Sequence, residues 1–141
     1  MDGHGLQLSF PGTLDGFGYA FGKLQQALRR DGLDPATRYR VELMFEEIVT
    51  NIIRHGSPDG GPLAVRMSLD VGDEAIVLTF DDDGLPFDPR VHPRTPNALE
   101  TSCFGLILIH HAATHLDYQR TAEQTNRLVV TLPATGKGAS G

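Results

Sequence analysis

The sequence lacks the features that several classes of protein require. Its one cysteine, Cys103, has no partner in the chain for a disulfide or for a CxxC metal or redox pair, so a reducing compartment is expected. No stretch approaches the roughly 18 consecutive apolar residues of a membrane helix. The first residues carry neither the basic nor the apolar region of a secretory signal. We therefore expect a cytoplasmic protein without a membrane partner.

Positive charge is also scarce. The chain has 12 Lys and Arg side chains against 18 Asp and Glu, which gives a formal net charge of -6. Domains that bind nucleic acid through its phosphates usually show the opposite balance, so we expect no direct contact with nucleic acid. A protein partner or a ligand carried by a cation fits the charge better, although an acidic surface also serves solubility alone.

The length of 141 residues accommodates one domain. A chain of that size buries roughly 70% of its unfolded surface, which is enough for a substantial core. No repeat with a period of 20 to 50 residues is present. We predict a single domain over residues 1–135 and a disordered tail over residues 136–141, where glycine dominates.

The apolar pattern near the start predicts a short strand and a helix. Residues 6–10 alternate between apolar and polar types, and Pro11 ends this strand. The following helix has two candidate N-caps, Thr13 and Asp15, and residues 31–32 end it.

A second helix is the most clearly marked element of the sequence. Asp34 is a suitable N-cap, Pro35 fits the first helical position, and Gly56 fits the C′ position after the last turn. The helical spacing of its apolar residues indicates one buried face. That face comprises Val41, Phe45, Ile48, Val49 and Ile52.

The rest of the chain predicts a sheet interrupted by a lid and a helix. Alternating strands are expected at residues 63–71, 75–80, 115–121 and 127–132, a Pro- and Gly-rich lid at 81–102, and an apolar helix at 104–114. Short turns between consecutive strands indicate an α+β sandwich of two layers. In it, a mixed, mostly antiparallel sheet carries the helices on one face and leaves the other open to water.

One polar stripe runs along the second helix. Glu47, Asn51, Arg54 and His55 follow one another at i, i+4, i+7 and i+8. A carboxylate, an amide, a cation and an imidazole thus share one side of the helix. A solvated helix face is the ordinary explanation for such a stripe when it stands alone.

An acidic cluster lies where the third strand ends. Residues 81–89 read DDDGLPFDP. An EF-hand loop centred on Gly84 would need acidic groups where Thr79 and Arg90 stand, so this type of calcium site is excluded. Two interpretations stay open. The cluster is an ordinary turn, or one ionised carboxylate accepts an exocyclic amine while the glycine admits a flat ring, which favours adenine over guanine.

A third segment, residues 101–109, reads TSCFGLILI. Small residues here lead into an apolar helix. The first turn of a helix presents unpaired N–H groups, and a glycine there lets phosphate approach. Taken alone, the segment also fits an ordinary buried helix.

Together these segments resemble the N, G1 and G2 boxes of the GHKL ATPases. Residues 47–55 match the pattern ExxTNxxxH, and the sequence FDP at 87–89 is typical of the anti-sigma factor serine/threonine kinases of this superfamily. The resemblance extends over residues 6–133 and implies the Bergerat fold.

The resemblance also implies roles for individual residues. Glu47 corresponds to the general base, Asn51 to the Mg²⁺ ligand, and Asp82 to the carboxylate that binds adenine. Further nucleotide contacts are implied for His55, Gly84, Phe87, Gly105 and Leu106. His55 fits a capping or packing role equally well. The implied cofactors are ATP and Mg²⁺.

One position departs from the family pattern. The G2 box usually begins GxGLxLI, whereas residues 103–109 read CFGLILI, so Cys103 replaces the first glycine. If that position needs a positive φ or space for phosphate, the cysteine weakens nucleotide binding or reshapes the lid.

The resemblance implies an ATP-dependent protein kinase that acts as an anti-sigma factor. It would phosphorylate a STAS-domain anti-sigma antagonist and sequester a sigma factor. Analogy also suggests a homodimer, although the sequence does not determine the oligomeric state. Two alternatives stay open. One is a sequestering module with weak or no catalysis, which Cys103 motivates. The other is the catalytic domain of a histidine kinase, which the length of 141 residues disfavours.

Overall fold

The computed structural model of the protein describes residues 5–57, 61–86 and 113–134. Five strands and two helices lie in these ranges. In chain order they are β1 (Gly5–Pro11), α1 (Leu14–Arg30), α2 (Pro35–Gly56), β2 (Ala64–Val71), β3 (Ala75–Asp82), β4 (His115–Arg120) and β5 (Asn126–Pro133). Most of the predicted lid, nearly all of the predicted helix at 104–114 and the tail at 136–141 lie outside the described residues.

The strands form one sheet in the order β1-β2-β3-β5-β4, and all four pairings are antiparallel. The predicted α+β sandwich with a mostly antiparallel sheet is confirmed. The central strand, β3, pairs along its whole length with β2 and β5. This register places Asp82, at the end of β3, opposite Asn126 at the start of β5.

Alternation along the strands explains why both helices pack on the same face. Every second residue of β2, β3 and β5 faces the helices and is buried, and all of these except the polar Asp82 and Asn126 belong to one apolar cluster. Phe45 of α2 lies at its centre, with ring centroids 5.5 Å from Phe17, 6.1 Å from Phe80 and 6.3 Å from Phe10. Because these contacts involve both layers, they fix how α2 is rotated against the sheet. No helix in the described ranges has the length and apolarity needed to cross a membrane.

The helix ends largely follow the sequence signals. Thr13, not Asp15, caps α1, because its hydroxyl accepts a hydrogen bond from the backbone N–H of Gly16 at 3.0 Å. Helix α2 begins at Pro35 as predicted. The prediction for Gly56 was wrong, since this residue is the last of the helix and the C-cap is Ser57.

Strand β3 is longer than predicted. Asp81 and Asp82 were expected to open the lid, yet both belong to the strand. The reason is that β2 and β5 continue beside them, so their backbone groups still have partners. Asp81 points to the open face, where Arg127 donates two hydrogen bonds to its carboxylate at 2.8 and 3.1 Å.

Candidate functional site

Asp82 ends the central strand with its side chain on the buried face. Only 6% of the residue is exposed. Its Oδ1 accepts hydrogen bonds from the backbone N–H of Gly84 and from Nδ2 of Asn126, both at 2.9 Å. Burial raises the pKa of Asp82, whereas these two hydrogen bonds act in the opposite direction. The result is a buried acceptor held in one orientation by the protein.

Asn126 is a candidate site residue that the sequence did not predict. It lies just outside the strand predicted at 127–132, but in the structure it is the first residue of β5 and only 5% exposed. The sequence did contain a signal for this. Position 126 has the same alternation as the apolar residues Leu128, Val130 and Leu132, so it faces the same side of the strand. A polar residue at a core-facing position needs partners, and here one of them is Asp82.

A close backbone contact joins the end of α2 to the end of β3. A Cβ atom added to Gly84 would lie 2.7 Å from Cα and 2.8 Å from the carbonyl oxygen of Gly56. The backbone N–H of Leu85 donates to that same carbonyl at 3.0 Å. Tertiary packing therefore requires a glycine at position 84. Gly56 lies opposite it as the last residue of α2 and does not have a left-handed backbone, so the predicted C′ position was in error.

Asn51 lies on α2 and is 4% exposed, so this part of the predicted polar stripe is buried. Its Nδ2 donates to the carbonyl oxygen of Glu47 at 2.6 Å. Its Oδ1 is buried and accepts no hydrogen bond from the described residues. Since such an atom is costly in a core, the observation points to a ligand.

Glu47 lies one turn before Asn51 and is partly exposed. Burial raises the pKa of its carboxyl group, and the neighbouring charge of Glu46 raises it further, while Arg54 lowers it. The group is thus a stronger base than an ordinary glutamate, provided that the pH is high enough to ionise it.

These two side chains fit a hard divalent cation. The orphaned Asn51 Oδ1 is the neutral oxygen donor that Mg²⁺ accepts, and the Glu47 carboxylate lies on the same side of the helix. Within the described ranges, no three His, Cys, Asp or Glu side chains are grouped as a metal cage. Mg²⁺ typically keeps several waters and binds substrate phosphates, so a site with one or two protein oxygens suits it.

The remaining predicted residues divide into two sets. Gly84 lies beside Asp82 as expected, and His55 lies half-buried in the last turn of α2. The structure thus places Asp82 and Gly84 where the end of β3 meets the end of α2, at the Gly56–Gly84 contact. Phe87, Gly105 and Leu106 lie outside the described residues, as does Cys103, so their roles stay predictions.

Comparison with known proteins agrees with this geometry. The model of the histidine kinase-like ATPase domain family matches residues 10–132 of the chain. The serine/threonine-protein kinase BtrW of Bordetella bronchiseptica is 28% identical over 102 residues, which cover 69% of this chain and 72% of that protein.

Solved structures share the fold at low sequence identity. The SiaB–SiaC complex from Pseudomonas aeruginosa superposes with a TM-score of 0.63 at 12% identity, over 91% of this chain and 89% of that one. A blue-light activated histidine kinase from Erythrobacter litoralis gives a TM-score of 0.60 at 18% identity, over 87% of this chain and 43% of that one. These similarities concern the fold alone.

Proposed function

Because the chain belongs to the histidine kinase-like ATPase domain family, we propose that it is an ATP-dependent serine/threonine kinase that acts as an anti-sigma factor. Its substrate in this proposal is a serine of a STAS-domain anti-sigma antagonist, and the partner that it sequesters is a sigma factor. The observation that carries the proposal is the orphaned Oδ1 of Asn51, one turn from Glu47. The similarity to a bacterial serine/threonine kinase supports the reaction class.

The end of β3 serves base recognition in this proposal. A buried, ionised Asp82 accepts a hydrogen bond from the exocyclic amine of adenine. Guanine has an oxygen at the equivalent ring position, and a carboxylate repels it. Gly84 has no side chain, and the close contact with Gly56 that this permits holds the turn after Asp82 in place.

Helix α2 serves phosphoryl transfer. Glu47 accepts the proton of the attacking serine hydroxyl, and its raised pKa makes it a better proton acceptor at neutral pH. Asn51 and the substrate phosphates would hold Mg²⁺, which when bound offsets the negative charge on the phosphate oxygens. Burial of Asn51 against the core keeps its oxygen at one position without further support from the ligand.

Calorimetry and a phosphorylation assay test this proposal. We expect Mg²⁺-ATP to bind more tightly than Mg²⁺-GTP, and Asp82→Asn to weaken ATP binding by about 10- to 150-fold, the range for one charged hydrogen bond. With STAS-domain proteins as substrates, phosphoserine is expected with the wild type. Its formation should fall by about 10²- to 10⁴-fold with Glu47→Gln.

The outcomes separate the competing functions. Absence of ATP binding at millimolar concentration contradicts the proposal altogether. ATP binding with no phosphoserine on any STAS-domain partner, but with a stable complex, favours the sequestering module that Cys103 motivates.

A further inference from the structure

Asn126 makes four hydrogen bonds, which is the full capacity of its amide. Its Nδ2 donates to Asp82 Oδ1 at 2.9 Å and to the carbonyl oxygen of Leu85 at 2.8 Å. Its Oδ1 accepts from the hydroxyl of Tyr118 and from Nη1 of Arg120, the latter at 3.2 Å. An amide offers two N–H donors and two lone pairs, so nothing is left for a ligand.

The four partners also fix which way the amide points. Two acceptors face Nδ2 and two donors face Oδ1, so a flipped amide would place like groups against each other on both sides. Arg120 is itself held in place, because its Nη1 also donates to the carbonyl oxygen of Gly84 at 2.8 Å. Strand β4 thus supplies the two side chains that orient Asn126.

The consequence for Asp82 concerns its two oxygens. Oδ1 already accepts from Gly84 and Asn126, whereas no hydrogen bond from the described residues reaches Oδ2. The carboxylate therefore has one saturated oxygen and one with acceptor capacity. The two oxygens of a carboxylate are equivalent, so exchanging them by rotation would restore the same arrangement, with one oxygen bound by the protein and one available.

The geometry points to Asn126 as a positioning residue that, oriented by Tyr118 and Arg120, sets purine selectivity by committing Asp82 Oδ1 to the protein and leaving Oδ2 for the exocyclic amine. This inference rests on the proposed function, since it takes the site to bind ATP. It assigns the selectivity to residues of β4 and β5 that never contact the base.

The test compares ATP with ITP, in which an oxygen replaces the amine. Their dissociation constants are measured by calorimetry with Mg²⁺ for the wild type, Asn126→Leu, Tyr118→Phe, Asp82→Asn and the double variant Asp82→Asn/Asn126→Leu. Arg127→Leu is the matched control, because Arg127 is the next residue of β5 but contacts Asp81 on the opposite face. Thermal unfolding of each variant reports whether it is folded.

We expect the wild type and Arg127→Leu to prefer ATP by about tenfold or more, the effect of one charged hydrogen bond. The preference should fall below about threefold in Asn126→Leu and be reduced in Tyr118→Phe. Adding Asn126→Leu to Asp82→Asn should not change the ratio further, because Asn126 acts through Asp82. A residue with only a structural role would weaken both nucleotides equally.

A pH series gives a second, independent readout. The hydrogen bond from Asn126 opposes the raised pKa of Asp82, so Asn126→Leu should move the loss of ATP affinity at low pH to a higher pH. An unchanged ATP:ITP ratio in both Asn126→Leu and Tyr118→Phe overturns this inference alone. If Asn126→Leu does not fold, the ATP:ITP ratio of Tyr118→Phe alone tests the inference, and an unchanged ratio overturns it. A wild type that binds no ATP overturns the proposed function together with the inference.

Discussion

The two buried asparagines of the site differ in how fully the protein satisfies the hydrogen-bonding groups of their amides. Asn126 and Asn51 are 5% and 4% exposed, and each lies beside an acidic residue of the site. Every polar atom of the Asn126 amide has a partner in the protein, whereas Asn51 Oδ1 has none among the described residues. Asn126 thus has a structural arrangement that the protein completes by itself, whereas Asn51, in our proposal, is completed by a bound ligand.

Leucine substitutions at the two positions should give the largest effect on stability, and this effect should differ between Asn126 and Asn51. Asn126→Leu removes four hydrogen bonds, each worth about 0.5–1.5 kcal/mol, so we expect a loss of about 2–6 kcal/mol in unfolding free energy. Asn51→Leu removes one hydrogen bond but also an unsatisfied oxygen, so its cost should stay within about 1 kcal/mol.

Urea denaturation without nucleotide measures both variants. Calorimetry then measures ATP affinity with and without Mg²⁺. Asn51→Leu should abolish the Mg²⁺ dependence of ATP binding while the protein stays folded. Equal stability costs at the two positions would show that the contrast between them is not real.

The Gly56–Gly84 junction allows a second, smaller test, since it links the two parts of the site. Gly84→Ala forces a Cβ to 2.7 Å from the Gly56 backbone, so we expect a loss of about 1–3 kcal/mol and weaker ATP binding. Gly56→Ala meets only side-chain atoms of Leu63 at 3.2 Å and ordinary contact with Gly84 at 3.7 Å, so it should cost less.

Gly18→Ala is the matched control for this pair. A Cβ there meets nothing within 4 Å on an exposed part of α1, so it should stabilise the protein by about 0.5–1 kcal/mol. Thermal unfolding ranks the three variants. Equal costs for Gly84→Ala and Gly56→Ala would contradict the packing at the junction.

The smallest effect concerns the charges around Glu47. Glu46 raises its pKa and Arg54 lowers it, so Glu46→Gln should lower the pKa and Arg54→Gln should raise it further. Because the folded-state pKa exceeds the ordinary value, Glu47 favours folding below the unfolded pKa, and this contribution is lost as pH rises through the folded value. Carbon-13 NMR titration of the Glu47 carboxyl measures both shifts, and shifts of the same sign would contradict the assignment.

The sequence predicted most of the fold because its local signals agree with the tertiary structure. Strand alternation and the Asp34–Pro35 start of α2 are local, and both were confirmed. Errors arose where contacts with segments distant in sequence determine the end of a helix or strand. Asp82 stays in a strand because β5 continues beside it, and Gly56 ends a helix against Gly84. Neither contact leaves a signal within one short window of sequence.

The same reason limited the prediction of the site. The motif match identified Glu47, Asn51 and Asp82, whereas Asn126 belongs to no motif used in the match. Its role depends on partners from β3 and β4, and a search for polar residues at core-facing strand positions would have found it.

The hydrogen bond between Asp82 and Asn126 joins residues 44 positions apart, and that between Arg120 and Gly84 joins residues 36 apart. We expect contacts that distant in sequence to form late, because closing a long loop costs conformational entropy. A nucleotide whose binding depends on these contacts binds the native state and not partly folded states. It should therefore slow unfolding while leaving the folding rate unchanged, so the lifetime of the folded chain increases with nucleotide concentration.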